Sequence, residues 1–237
     1  MKHGRKIDIQ AAILAGGKGT RLRPITYEIP KSMVQVHGKP FLLHLLELLK
    51  PFGIKRVLLL TGYLGKEIEK YFGDGSAFGL KIEYSYEETS LGTGGALKNA
   101  EDKLGKEFIV LNGDTFLPID YGELVKYFRE SKKIGAVTVY KNIDRIVPNN
   151  IIIDTSNIVT AYNKKNPDGM AYVDAGVAVF KKNVLDLIPH GCSCSLEEEI
   201  FGKLIEMKEL VAFPTEHRFY DMGSFKGLEA AERVLTG

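Results

Sequence analysis

The sequence predicts an α/β protein built on a mostly parallel mixed sheet, with helices on both faces and a small antiparallel extension. Three observations carry this. β-rich runs alternate with helical patterns through the first half of the chain. Several of those runs are continuously apolar, as strands covered on both faces must be. Beyond about residue 141 the alternation stops and strand-like runs follow one another directly.

In chain order, strands are expected at residues 11–14, 56–60, 80–84, 108–111 and 134–140. Helices are expected between them. Residues 41–50 are apolar almost all round and stop at Pro51, which reads as a buried helix. Residues 65–72 are amphipathic and end at Gly73-Asp-Gly75, and residues 93–104 and 121–131 complete the set. Strand, helix, strand in this order implies right-handed crossovers. The later runs at 151–153, 158–162 and 172–180 read as an antiparallel insertion or sheet extension. Two helices follow at 183–188 and 195–207, the second opened by a Ser195…Glu198 capping box. A strand at 210–213 and a helix at 224–235 close the pattern. No internal repeat, low-complexity tract or linker interrupts residues 1–237, so one domain is expected, with halves at about 9–140 and 141–237.

Of the 237 residues, 44% are hydrophobic and 26% charged, ordinary for a soluble protein with a real core. Disordered, collagen-like and disulfide-scaffold classes are excluded. Thirty-two Lys and Arg against thirty Asp and Glu leave a net charge of +2, without the basic excess of a nucleic-acid binder. No apolar run approaches the roughly 18 residues of a membrane span. The basic start Met1-Lys-His-Gly-Arg-Lys6 precedes an apolar stretch broken by Asp8 and Gln10, so no export signal is expected. Cys192 and Cys194 stand one residue apart, where a disulfide would be badly strained. A reduced, cytoplasmic protein is the simplest reading. His190-Gly-Cys192-Ser-Cys194 lacks Cys-x2-Cys spacing and reads as a reduced loop before a capped helix, not as a zinc site.

The most informative segment is Leu14-Ala-Gly16-Gly17-Lys18-Gly19-Thr20-Arg21-Leu22, directly after the first strand. Its glycines permit positive φ and a close backbone approach to a ligand. Ligands of open α/β sheets bind beyond the carboxyl ends of the strands, where this loop must sit. Successive N–H groups there form an anion-binding concavity, to which Lys18 and Arg21 add charge. A dinucleotide fingerprint would need glycine where Leu22 stands, and a P-loop would need Ser or Thr where Gly19 stands. Ten residues on, Pro30 imposes a rigid corner, so Lys31 is expected to follow that corner and not to lie mid-helix.

This loop, followed by Pro30-Lys31, resembles the signature of the sugar-1-phosphate nucleotidyltransferases, which join a nucleoside triphosphate to a sugar 1-phosphate and release pyrophosphate. Further matches come in order: Leu91-Gly-Thr-Gly-Gly-Ala96, Leu111-Asn-Gly-Asp114, Ala161-Tyr-Asn-Lys164, Asp174-Ala-Gly176 and Phe219-Tyr-Asp-Met-Gly223. The likeness spans residues 9 to 235. It implies a three-layer, Rossmann-like nucleotidyltransferase fold.

The resemblance also implies roles. Asp114 and Asp221 would hold Mg²⁺, a hard cation that takes oxygen ligands and bridges phosphates. Arg21 and Lys31 would hold the triphosphate, and these four are the expected catalytic residues. Leu14, Gly16, Gly17, Gly19, Thr20, Glu87, Gly92 and Thr93 would bind the nucleotide, and Asn112, Lys164, Asp174 and Gly176 the sugar phosphate. Two positions depart from the family pattern. Asn163 stands where many members have Glu, and Asp174 where relatives often carry Asn or Thr. Asp174 either accepts from sugar hydroxyls or is a strand-end turn residue before Gly176.

A carboxylate such as Glu87 or Glu88 would accept from N1–H and N2–H of guanine, which gives GTP a slight preference. The likeness is nearest to guanylyltransferases of heptose or mannose 1-phosphates. Uridylyltransferases of amino-sugar phosphates stay open. So do a cytidylyltransferase for an amino alcohol phosphate, with Tyr162, Tyr172 and Asp174 as its cation pocket, and a non-catalytic sugar-nucleotide sensor. The sequence carries no hexapeptide repeats, so neither an acetyltransferase activity nor repeat-based trimerisation is expected. No nucleic-acid or membrane partner is expected, and a homodimer is left open.

Overall fold

A computed structural model describes residues 6–145, 147–165 and 168–235. The basic start at residues 1–5 lies outside them. In chain order the strands are β1 (Gln10–Ala15), β2 (Gln35–Val36), β3 (Lys39–Pro40), β4 (Arg56–Thr61), β5 (Lys81–Tyr86), β6 (Glu107–Asn112), β7 (Thr115–Phe116), β8 (Gly135–Tyr140), β9 (Ile151–Ile153), β10 (Val159–Tyr162), β11 (Val173–Lys181), β12 (Leu210–Thr215) and β13 (Tyr220–Asp221). The α-helices are α1 (Phe41–Leu49), α2 (Gly65–Phe72), α3 (Gly92–Asn99), α4 (Tyr121–Ser131), α5 (Phe201–Glu206) and α6 (Phe225–Val234).

One seven-stranded sheet runs in the order β12-β8-β11-β6-β1-β4-β5. Every neighbouring pair is parallel except the two that flank β11. Alternate residues of the strands feed two cores. Ala11, Ile13, Val57, Leu59, Ile109 and Leu111 meet α1, α2 and α4 on one face. Ala12, Leu58, Leu60, Phe108 and Val110 meet α3 and α5 on the other. The three layers are therefore legible in the apolar runs, since a strand buried on both faces has no polar side to alternate with. α1 is the most buried helix: Phe41, Leu42, Leu45, Leu46 and Leu49 are each 0% exposed. Each such side chain is worth roughly 1.5–3 kcal/mol of burial.

Differences from the sequence reading have local causes. The run near 172–180 is antiparallel as expected, and as β11 it enters the main sheet between β6 and β8 instead of lying at its edge. It is buried on both sides along Val177–Phe180 and needs partners on both edges. β9 and β10 do form a separate antiparallel pair. The helix expected to run to residue 104 stops at Asn99, whose side-chain amide turns away to donate to Tyr86 O at 3.1 Å, and a 3-10 turn at Glu101–Lys103 follows. Residues 182–187 are a 3-10 helix.

The helix expected from Ser195 opens with a π-helical turn, Leu196–Ile200, before α5. Ser195 Oγ accepts from Glu198 N–H at 3.1 Å as a capping box requires. The carboxylate that reaches back to Ser195 N–H is Glu199, at 2.8 Å, and not Glu198. The wider π turn inserts one residue and passes the reciprocal role along by one.

Register is what positions the site. β1 pairs in step with β4 (Ala15 with Thr61) and with β6 (Leu14 with Asn112). The carboxyl ends of these three strands are thus level, and the loops beginning at Gly16, Gly62 and Gly113 leave from one rim.

Candidate active site

A cleft of about 940 Å³ opens at that rim. Its floor is set by backbone contacts that only glycine permits. Gly113 N–H donates to Leu14 O at 2.9 Å, and a Cβ on Gly113 would fall 2.6 Å from that oxygen. β6 and β1 therefore end in contact, bringing Asp114 to the glycine loop. Gly19 has φ +59, and its missing Cβ makes room for Thr26 and for the Lys31 stem. Thr26 Oγ1 closes the turn by donating to Gly19 O at 2.7 Å. Lys31 itself follows Pro30 in a single 3-10 turn, Lys31–Met33, in keeping with the expected corner.

Four charged side chains meet at one side of this floor. Lys31 Nζ donates to Asp114 Oδ2, a pair whose side chains are 16% and 24% exposed. Arg21 Nη2 lies 3.9 Å from Asp221 Oδ2, and this more exposed pair contributes little stability. Gly223 joins the two pairs: a Cβ there would fall 2.5 Å from Arg21 Nη2, 2.7 Å from Asp221 Oδ1 and 2.8 Å from Lys31 Nζ. What brings Asp221 here is the two-residue ladder of β13 on β7, Asp221 opposite Thr115, extended by Met222 N–H to Asp114 O at 2.9 Å. Gly223 N–H also donates to Asp221 Oδ1 at 2.6 Å. Burial raises the Asp221 carboxyl above its ordinary range, and the neighbouring Asp114 raises it further.

Glu87 flanks the glycine loop. Its Oε1 occupies the space that a Cβ on Gly16 or Gly62 would need, at 2.6 and 2.7 Å, while its Oε2 accepts from Leu91 N–H at 3.1 Å.

The π turn contributes Glu197 to the lining. Glu197 is 8% exposed, and its Oε2 accepts from Thr93 Oγ1 at 2.8 Å and from Ser195 Oγ at 2.9 Å. Thr93 Oγ1 in turn accepts from Leu196 N–H at 2.8 Å, so the hydroxyl of Thr93 is engaged in holding this turn. Lys164 stands at the cleft edge with its Nζ 5.8 Å from the centre of the Tyr162 ring. The Tyr162 hydroxyl is buried without a hydrogen-bond partner among the described residues.

Asp174 is not the strand-end turn residue that was one of its expected readings. It lies inside β11, opposite Val139, where the register to β8 shifts. Its Oδ1 accepts from Gly176 N–H at 2.9 Å, and its own N–H donates to Asn150 Oδ1 at 2.9 Å. Burial, reinforced by Glu197, pushes its carboxyl up to about 6. Gly176, at φ +74, leaves room for Asn112 and Thr115, packing β11 onto the end of β6.

Of the sequence-predicted residues, Leu14, Gly16, Gly17, Lys31, Glu87, Gly92, Thr93, Asn112, Asp114 and Lys164 line the cleft. Arg21 and Asp221 join it through Lys31 and Asp114, and Gly19 supports Lys31 from behind. Thr20, Asp174 and Gly176 are not on its lining. Ser32, Gly62 and Glu197 line it without having been singled out. Ser32 is 3% exposed, and its Oγ has no partner among the described residues. Gly62 was legible in principle, since it follows β4 as Gly16 follows β1. Glu197 was not, because Ser195-Leu-Glu-Glu-Glu199 reads as a solvated helix start.

The chain is similar to known proteins along most of its length. The chain is 39% identical over 199 residues to a mannose-1-phosphate guanylyltransferase of Mycobacterium tuberculosis, covering 83% of this chain but 55% of that protein. It is 33% identical over 230 residues to a D-glycero-alpha-D-manno-heptose 1-phosphate guanylyltransferase of Aneurinibacillus thermoaerophilus, covering 96% and 98%. It thus spans about half the length of the mycobacterial relative and nearly all of the other. The crystal structure of HddC from Yersinia pseudotuberculosis complexed with GMP-PN superposes with a TM-score of 0.79 at 30% identity, over 96% of this chain and all of that one. The profile of the nucleotidyl transferase family matches residues 10–236, and the chain belongs to that family.

Proposed function

We propose that the protein transfers a nucleoside monophosphate, guanosine before uridine, to a sugar 1-phosphate of the mannose or heptose type and releases pyrophosphate. The observation that carries this reading is the meeting of Arg21, Lys31, Asp114 and Asp221 around Gly223, beside a cleft floored by the glycine loop. In this reading one domain does the work, with a nucleotide half at about residues 9–140 and a sugar-phosphate half at about 141–237, and it does so in the cytoplasm.

A phosphate oxygen of the sugar 1-phosphate attacks the α-phosphorus, a new P–O bond forms in line with the one that breaks, and pyrophosphate departs. The attacking oxygen is already an anion, so no general base is required, and catalysis is positioning and charge neutralisation. N–H groups of Gly16 to Gly19 receive the triphosphate from below. Lys31 and Arg21 neutralise it, the guanidinium by holding two oxygens at once. Lys164, across the cleft, receives the sugar phosphate.

Asp114 and Asp221 fit a Mg²⁺ ion: both offer hard oxygen donors, and they lie near enough that Asp114 raises the Asp221 carboxyl. Among the described residues no group of three or more His, Cys, Asp or Glu converges, so water and phosphate oxygens would complete the shell. When bound, such an ion supplies positive charge between two mutually repelling phosphates.

Glu87 supports guanosine. Its carboxylate lies along Gly16 and Gly62 with Oε1 turned from the Leu91 bond, where guanine N1–H and N2–H would find an acceptor. The guanylyltransferase names of similar proteins support the same choice. The test is pyrophosphate release across GTP, UTP, CTP, dTTP and ATP with a panel of sugar 1-phosphates and Mg²⁺. Fastest turnover of GTP with a manno- or heptose 1-phosphate is expected. Turnover of no pair would replace the reading with that of a sugar-nucleotide sensor.

A further inference from the structure

Cys192 and Cys194 flank Ser193 in the loop before the π turn, and their unbonded Sγ atoms stand 2.9 Å apart. A disulfide needs about 2.05 Å between sulfurs, so the thiols face each other almost at bonding range. The loop is docked on the start of α3. Cys194 N–H donates to Leu91 O at 2.9 Å, and Cys194 O accepts from Gly94 N–H at 2.9 Å. Ser193 Oγ donates to Ser90 O at 3.1 Å.

This docking has no slack. A Cβ on Gly92 would fall 2.5 Å from Cys194 O, one on Gly94 would fall 3.0 Å from Cys194 Sγ, and one on Gly95 would strike Cys192 O. Gly92 and Thr93 of the same helix end line the cleft. Any rotation of residues 192–194 is therefore passed to the cleft wall.

We infer that Cys192 and Cys194 are a peroxide-sensitive modification site, whose disulfide shifts the Gly92–Gly95 end of α3 and weakens nucleotide binding. The chemistry balances with hydrogen peroxide as oxidant. Peroxide transfers one oxygen to the Cys192 sulfur, giving a sulfenic acid and one water. The Cys194 sulfur attacks it, the S–S bond forms, the S–O bond breaks, and a second water leaves with the Cys194 proton. Two thiols of a reductant reverse the reaction. The order follows from access: Cys192 is partly exposed and meets peroxide first, and the buried Cys194 sulfur, 2.9 Å away, is placed to attack it in turn. A disulfide spanning one residue is a tight ring, and strained disulfides are the labile, regulatory ones.

The test treats the reduced full chain with hydrogen peroxide and follows intact mass, thiol alkylation and kinetics together. Loss of two hydrogens, block of both thiols to alkylation, and recovery with dithiothreitol are expected. KM for the nucleoside triphosphate should rise roughly tenfold in the oxidised form. Cys192→Ser should keep the basal activity and resist the KM change. Gain of oxygen without loss of hydrogens would overturn the disulfide. An unchanged KM in the disulfide form, or equal inactivation of Cys192→Ser, would overturn its control of the cleft. Mass and alkylation do not depend on which reaction the protein catalyses, and binding of a fluorescent nucleotide reads the cleft if turnover is absent.

Discussion

Asp114 and Asp221, 107 positions apart in the chain, are brought together by a ladder of two residues: Asp221 pairs with Thr115, and Met222 N–H bonds to Asp114 O at 2.9 Å. Each carboxylate then meets its own cation, Asp114 with Lys31 and Asp221 with Arg21. The arrangement is electrostatically poised, since two acids are held close enough for one to raise the other.

Asp114→Ala should lower pyrophosphate release roughly 10³-fold or more, because charge neutralisation between two phosphates is the main contribution the proposed reaction asks of this site. The thermal melt should move little, Lys31 being able to turn toward water. Chelation of divalent cations should reproduce the loss in the wild type and be reversed by added Mg²⁺. Near wild-type turnover in the variant would exclude Asp114 as a ligand.

Gly223→Ala tests the convergence itself. The new methyl would contact Arg21, Asp221 and Lys31 together, and the backbone there is 0% exposed at the adjacent Met222. Displacement by about 1 Å costs on the order of 10² in rate. A drop of that size in kcat is expected, with KM for the sugar phosphate changed less.

Glu87→Gln should reduce kcat/KM for GTP roughly tenfold or more relative to UTP, since a hydrogen bond to a charged group contributes about 1.5–3 kcal/mol. An unchanged GTP-to-UTP ratio would remove Glu87 from base selection.

Asp174 makes stability depend on pH with a definite sign. Its folded carboxyl is pushed up to about 6 from 3.8, so the folded state holds the proton more tightly than the unfolded one. The stabilising effect of that proton is complete below 3.8 and is lost as pH rises through about 6. Asp174→Asn keeps the acceptor for Gly176 and removes the buried charge, so it should stabilise at pH 7.5 by roughly 2 kcal/mol. Melts of the two proteins should converge as pH falls toward 4. A constant difference across that window would refute the burial argument.

The strands and helices around the main sheet were legible because burial on both faces leaves continuous apolar runs, and because Gly and Pro punctuate the loops between them. The glycine loop was legible for a related reason: backbone close to a ligand or to another backbone, as at Gly113 against Leu14, admits no Cβ. The β13–β7 ladder was not, since two residues have no period to read. Nor was Glu197, which composition assigns to solvent and the π turn rotates into the cleft. β11 as the one antiparallel strand within the sheet, and Asp174 at its irregular register, were decided only when the chain packed. Local chemistry thus determined which segments form strands, helices and a glycine-rich loop at the sheet's rim. Which distant acids, cations and thiols come to face one another depended on pairings between remote segments, and those are selected by the packing of the whole chain.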